Sequence, residues 1–234
     1  MKQKLFKDMK ICPIILCRGG SKSVPRKNIK LLNGKPLLSY VLSEALKVFP
    51  KVYLSTEDEE IARIGNEYGA TIIPRPPKLA QDDSKSIDAV KHALNHLKKR
   101  YGLNFDYVML SNACCPLTKV EDIQACVDIA VREKPDSVVS LVEDFSSHPS
   151  KLCYLIENKV YPINASYIFE TGERQKQAPI FKRNTAIYCA TIATIRKGSF
   201  FGKSTIGYVM PKTRSYDLND MDDWNLMELI LKNV

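Results

Sequence analysis

Between Met9 and Ser43 the sequence has no Asp or Glu at all, yet it places seven Lys or Arg there. Solvated faces normally mix both signs of charge, so this segment is not an ordinary surface and an anionic partner is expected. Aromatic residues are missing as well, with no Phe, Tyr or Trp from Met9 to Ser39. Nucleic-acid surfaces interleave stacking rings with basic groups, so a compact phosphate cluster is the better reading and no nucleic-acid partner is expected. No apolar run reaches the roughly 18 residues that cross a bilayer, and residues 1–10 lack the apolar centre of a signal peptide. A cytoplasmic protein without a membrane partner is expected. The seven cysteines are odd in number and show no CxxC spacing, which fits reduced thiols rather than a disulfide framework. Cys114-Cys115 reads as two small buried apolar residues, with a redox centre as the weaker alternative.

What is present describes an α/β chain. With 234 residues and 44% hydrophobic content, one domain spanning 1–234 can bury a real core. Short apolar runs at Ile14–Cys17, Lys51–Ser55, Ala70–Ile73, Tyr107–Leu110 and Ser137–Val142 read as strands. Helix-period segments alternate with them at Leu37–Val48, Glu57–Tyr68, the stretch marked by Ile87, Val90, Leu94 and Leu97, and Val120–Arg132. This order predicts a Rossmann-like, mostly parallel, doubly wound sheet. After residue 142 the rhythm stops. Segment 143–183 offers a hairpin from Lys151–Glu157 and Lys159–Ile163 around Asn158, then a polar stretch ending in Arg174-Gln-Lys-Gln177. It reads as an inserted arm that packs on a partner subunit. Strands at Thr185–Ala190 and Thr205–Val209 and a helix at Asp222–Leu231 complete the pattern.

The chemistry concentrates after the first strand. In Arg18-Gly-Gly-Ser-Lys-Ser-Val-Pro-Arg-Lys-Asn28, Gly19 and Gly20 let backbone N–H groups approach a phosphate, and Arg18, Lys22, Arg26 and Lys27 supply neutralising charge. In a parallel sheet this loop is the usual phosphate site, and the reading is a triphosphate cradle. Its spacing matches neither a Walker loop nor GxGxxG. A merely solvated basic loop is the alternative. His92 and His96, four apart on a helix, lack a third ligand nearby in sequence and read as a solvated helix face rather than a metal site.

Taken together, Cys17–Asn28 and Gly34–Leu37, then Ser55–Ile61, Arg75–Asp82 with Ser86 and Asp88, Ser137–Ser140, Asn184–Tyr188 and Ser215–Asn219 resemble, in order, the CMP-sialic acid synthetase family (acylneuraminate cytidylyltransferases). The resemblance spans nearly the whole chain. It implies the nucleotide-diphospho-sugar transferase fold and transfer of CMP from CTP to the anomeric hydroxyl of an acidic nine-carbon sugar, releasing pyrophosphate with Mg²⁺ in a homodimer. It also implies roles by position. Arg18, Gly19, Gly20, Ser21, Lys22 and Lys27 hold the triphosphate, Asn28 the ribose side, and Arg75 with the Asp83–Ser86 loop the cytosine. Arg18, Lys27 and Asp217 are the catalytic set, and Asp217 with Asn219 binds the metal. Asn112, Tyr188, Phe200 and Phe201 line the sugar pocket, while Lys151 and Arg174 reach towards the sugar carboxylate from the other subunit, with His148 able to position Lys151. Core packing is the alternative for the Phe pair.

Two departures separate the chain from that pattern. Asn112 stands where the family usually has Gln and Thr118 where it has Arg, and the terminal Asp-x-Asp appears as Asp217-Leu-Asn219. The first opens the acceptor to Kdo, legionaminic or pseudaminic acid. The second leaves a catalytically silent nucleotide-binding paralogue as a further reading, with Asp220 as a substitute carboxylate if the loop shifts.

Overall fold

The protein was analysed as a computed structural model, which describes residues 9–164 and 178–232. Strand β1 (Ile11–Leu16) is followed by a small ribbon, β2 (Leu31–Leu32) and β3 (Lys35–Pro36). Then come α1 (Leu37–Leu46), β4 (Tyr53–Thr56), α2 (Glu59–Glu67), β5 (Thr71–Pro74), α3 (Ser86–Tyr101), β6 (Tyr107–Ser111), α4 (Val120–Glu133) and β7 (Ser137–Glu143). A hairpin of β8 (Cys153–Ile156) and β9 (Lys159–Pro162) interrupts the order. It resumes with β10 (Phe181–Thr191), α5 (Ile192–Arg196), β11 (Thr205–Val209) and α6 (Met221–Lys232).

The large sheet has seven strands in the order β11-β7-β10-β6-β1-β4-β5. All its neighbours are parallel except β10, which lies antiparallel between β6 and β7. The expected mostly parallel sheet is therefore present, with one reversed strand in its interior. The period-2 side-chain alternation of β1 explains the two-faced core. Cys12 and Ile14 pack with Ile87, Val90, Ala93 and Leu97 of α3 and Ile195 of α5. Ile15 and Cys17 point the other way, into Leu38, Val41 and Leu42 of α1, Ile61 of α2 and Ile123 and Val127 of α4. A third cluster seats Trp224 and Met227 of α6 on Val24, Leu32, Leu37 and Leu117, fixing the end of the chain beside the loop that follows β1. Among the described residues no helix is long and apolar enough to cross a membrane.

Helix ends follow local chemistry. Asp58 caps α2 by accepting from the Ile61 N–H at 2.9 Å, and Gly102 ends α3 in the left-handed region at φ 66°. Gly65 lets α2 lie against β4, since a Cβ there would overlap the Leu54 side chain. Among its described residues the arm holds two single 3₁₀ turns and the expected hairpin, shorter than the sequence pattern at both ends. Arg174 lies outside the described residues.

One buried ion pair fastens the last crossover. Asp122, fully buried on α4, accepts two bonds from Arg214 (2.7 and 2.9 Å), one from the Tyr208 hydroxyl (3.0 Å) and one from the Lys119 N–H (3.0 Å). Burial beside that carboxylate pushes the Tyr208 phenol up to about 12. Removing one partner of such a pair leaves the other charge uncompensated. Asp122→Ala is expected to lower unfolding free energy by about 3 kcal/mol, measured by urea titration at pH 7; a loss under about 1 kcal/mol would mean Arg214 simply turns to solvent.

Candidate functional site

The loops leaving the carboxyl ends of the parallel strands meet around a cavity of about 360 Å³. Arg18, Ser21, Lys22, Lys27 and Asn28 come from the loop after β1, Arg75 follows β5, Ser86 opens α3, and Asn112 with Cys114 follows β6. Eight residues picked out by the sequence therefore line one cavity: Arg18, Ser21, Lys22, Lys27, Asn28, Arg75, Ser86 and Asn112.

Their partners define what each can do. Arg18 donates to the Asp82 carboxylate at 3.0 Å and to the Gln81 carbonyl at 3.1 Å. Lys22 pairs with the other oxygen of Asp82. The Lys22 ammonium, with Arg18 behind it, holds the Asp82 carboxyl below the usual carboxylate range. Asp82 thus sits between the two cations on the cavity lining. Lys27 donates to the Leu218 carbonyl at 2.7 Å, and the Asn28 amide donates to the Arg18 carbonyl at 2.9 Å.

Two expectations for this loop change. Arg26 is not among the residues that line the cavity: it forks onto Asp58 and also donates to Glu60 at 2.6 Å, and it depresses the Asp58 carboxyl. Nor is the Gly19 N–H open to a phosphate, since it donates to Glu57 Oε1 at 2.7 Å. Gly19 is required for a different reason, because a Cβ there would sit 2.5 Å from Asp58 Oδ2. The second oxygen of Glu57 accepts two bonds from Arg75 (2.7 and 3.2 Å), whose guanidinium, 4% exposed, also donates to the Cys17 carbonyl at 2.8 Å. Arg75 therefore reaches the cavity as a guanidinium already clamped in position.

The acidic loop before α6 docks against the cradle. Besides Lys27 on the Leu218 carbonyl, Ser23 donates to the Asn219 carbonyl, and the Leu218 N–H donates to the Cys114 carbonyl at 2.8 Å. Asp217 stands just outside the cavity lining. Its Oδ2 accepts from the Thr185 hydroxyl at 3.2 Å and its Oδ1 from the Asn219 amide at 3.1 Å, so the two residues do face each other. Asp220 is committed elsewhere, accepting the Asp222 and Asp223 N–H groups at 3.0 Å at the start of α6. Tyr188, Phe200 and Phe201 form one ring cluster, with centroids 5.6 and 6.0 Å from Tyr188 and the Arg183 guanidinium 5.0 Å from Phe201. Phe201 is 38% exposed, so it is not simple core.

Other expected residues lie apart. Lys151 donates to the Phe145 carbonyl at 3.1 Å and lines a separate cleft with Asp144 and Lys212; His148 is buried and its carbonyl accepts the Lys151 N–H at 2.8 Å. Cys115 is buried as expected, but Cys114 is half-buried and lines the cavity. His92 is not on a solvated face: it is half-buried, its Nδ1 is buried without a hydrogen-bond partner, and burial holds its pKa down. Among the described residues no group of three His, Cys, Asp or Glu is placed to hold a metal. Glu57, Asp82 and Thr185 were given no role by the sequence, although they lie in the segments Ser55–Ile61, Arg75–Asp82 and Asn184–Tyr188 that carry the resemblance.

A mostly parallel sheet whose first strand runs into a cation-rich loop over a polar cavity defines a nucleotide-binding α/β protein. Comparison with known proteins narrows the class: residues 12–167 match the cytidylyltransferase family model, and the chain belongs to that family. It is 32% identical over 92% of its length to N-acylneuraminate cytidylyltransferase of Streptococcus agalactiae. The chain spans about half the length of the curated N-acylneuraminate cytidylyltransferases it matches, 52% in that case. A relative of similar size is the post-translational flagellin modification protein B of Campylobacter coli, 28% identical with 93% of each chain covered. In fold, the chain is similar to CMP:2-keto-3-deoxy-manno-octonic acid synthetase complexed with CTP, with a TM-score of 0.68, 14% identity, and 96% of this chain and 99% of that one covered.

A cation on a phosphate acts in both ground and transition state. With CTP, the substrate proposed below, Lys27→Ala is expected to raise KM and lower kcat, together reducing kcat/KM about 10- to 100-fold, the range for one charge-assisted hydrogen bond. Wild-type CTP kinetics in this variant would mean the triphosphate lies elsewhere.

Proposed function

We propose that this chain transfers CMP from CTP to the anomeric hydroxyl of an acidic nine-carbon, sialic acid-like sugar. The observation that carries the reading is the convergence of Arg18, Lys22 and Lys27 with clamped Arg75 around one polar cavity. The hydroxyl oxygen forms a bond to the α-phosphorus, the bond to the β-phosphate oxygen breaks, and pyrophosphate leaves while the hydroxyl proton is lost. Such a reaction needs alignment and charge neutralisation rather than a covalent enzyme intermediate. Arg18, Lys22 and Lys27 neutralise the triphosphate, Asn28 holds the ribose side, and Arg75 with the loop into Ser86 recognises cytosine. Asn112, Tyr188, Phe200 and Phe201 shape the acceptor side.

The residues present fit a magnesium ion in the usual way, one or two protein oxygens plus substrate phosphates. Each carboxylate oxygen of Asp217 accepts one hydrogen bond, which leaves lone pairs on both. Asp217, assisted by Asn219, would hold the ion, whose charge would be supplied to the phosphate oxygens. Kdo, legionaminic or pseudaminic acid is the alternative acceptor class, to which Asn112, its amide spent on the Thr185 carbonyl, and the fully buried Thr118 bring no sugar-specific contact.

We also propose a cytoplasmic homodimer built through arm 143–183. Tyr154, Leu155, Ile156, Val160, Tyr161 and Ile163 of the hairpin are 45–68% exposed, an apolar patch of the kind that marks interaction sites. Lys151, outside its own chain's nucleotide cavity, then serves the neighbour's site with Arg174.

Two experiments test these readings. Wild type should release pyrophosphate from CTP with one member of a panel of 2-keto-3-deoxy sugar acids, and Asp217→Asn should lose most of that turnover while retaining CTP binding by calorimetry. CTP binding without turnover on any panel member would instead identify a silent paralogue. For the dimer, mixing Arg174→Ala with Lys27→Ala subunits should regenerate one working site per heterodimer; absence of recovery despite demonstrated subunit exchange would rule out shared sites.

A further inference from the structure

Strand β10 enters the sheet at the site end through an irregularity. Its register against β7 shifts between Arg183 and Tyr188, and within that bulge Thr185 has φ of 60°. A β-branched side chain is a genuine outlier in the left-handed region, and outliers of this kind persist only where their surroundings enforce them. The enforcement is visible next door. Asn184 is buried, with its side-chain carbonyl oxygen accepting the Ser140 hydroxyl at 2.6 Å and the Ala186 N–H at 3.3 Å, and its amide donating to the Ser215 hydroxyl at 2.9 Å.

The bulge turns both polar groups of Thr185 into the site. Its hydroxyl donates to Asp217 Oδ2 at 3.2 Å, and its carbonyl accepts the Asn112 side-chain amide. One residue therefore touches the carboxylate assigned to the metal and the amide assigned to the acceptor sugar. We propose that Thr185 is a positioning residue: its hydroxyl fixes the Asp217 carboxylate for the metal, and its left-handed backbone, held at a cost in stability, is what brings the hydroxyl there. The inference rests on the reading of Asp217 given above.

The test compares Thr185→Val, which keeps the shape and the strain but removes the hydroxyl, with Thr185→Ser, Thr185→Gly and Asp217→Asn. Mn²⁺ affinity is read by electron paramagnetic resonance in the presence of a non-hydrolysable CTP analogue, and melting temperature by calorimetry. Loss of one hydrogen bond to the carboxylate should weaken Mn²⁺ binding about three- to tenfold in Thr185→Val. Its kcat should fall with the KM for CTP unchanged, and Thr185→Ser should rescue both. Thr185→Gly should share the metal defect yet melt several degrees higher, because glycine adopts positive φ freely. Should Thr185→Val not fold, Thr185→Ala against Thr185→Ser makes the same comparison. Mn²⁺ binding as tight as wild type without the hydroxyl, in a background where Asp217→Asn has lost it, overturns this inference alone. Retention of Mn²⁺ by Asp217→Asn overturns the metal assignment and the inference with it. A Thr185→Gly variant melting at or below wild type removes the claim of strain.

Discussion

The Glu57 carboxylate is the constraint on which the site is built. One of its oxygens takes the Gly19 N–H and the other takes Arg75, which in turn donates to the Cys17 carbonyl. Gly19 and Cys17 follow β1, Glu57 follows β4 and Arg75 follows β5, so three adjacent strands are tied together at their carboxyl ends. A buried guanidinium is tolerable only when paired and hydrogen-bonded, and this arrangement meets that condition with both carboxylate oxygens in use. The loop after β1 can then carry Arg18, Lys22 and Lys27 close together without collapsing, because its start is fixed by an anion belonging to the protein.

Much of this was legible in the sequence. The alternation of β-length and helix-length apolar runs located every parallel strand and every long helix to within a few residues, since both periods are set by which face is buried. The gap in carboxylates between Met9 and Ser43 pointed to the loop after β1, and Arg18, Lys22 and Lys27 do line the cavity there. Arg26 lies outside the cavity lining, which charge composition could not reveal because it does not say where each cation points. Its left-handed φ of 56° swings the side chain to Asp58 and Glu60, and that turn is a three-dimensional fact. Strand β10 was visible as a strand, but its direction was not, because antiparallel and parallel neighbours in a buried sheet present the same apolar run. Thr185 lay in the Asn184–Tyr188 segment of the resemblance, but nothing marked its backbone as left-handed: a β-branched residue in a strand-like segment is the ordinary expectation.

The two halves of the site differ in how they are held. The cavity side rests on rigid elements, with the β1 loop pinned by Glu57, α3 beginning at Ser86, and the 217–219 loop tied down through Leu218 and Ser23. The other side is a ring cluster of Tyr188 on β10 with Phe200 and the partly exposed Phe201. In the proposed reaction, preorganised charge serves the triphosphate and the ring cluster the acceptor.

The reversed direction of β10 has an evolutionary consequence. Because Phe181 pairs with Glu143, the segment between β7 and β10 departs from and returns to the same end of the sheet. Residues can be gained or lost there without adding a crossover or disturbing any core strand, since closing a longer surface loop adds only about 0.6 kcal/mol per doubling of its length. The fold thus separates a part under tight packing from a part free to drift, and new acceptor preferences or subunit contacts can arise in the second while the first is left alone.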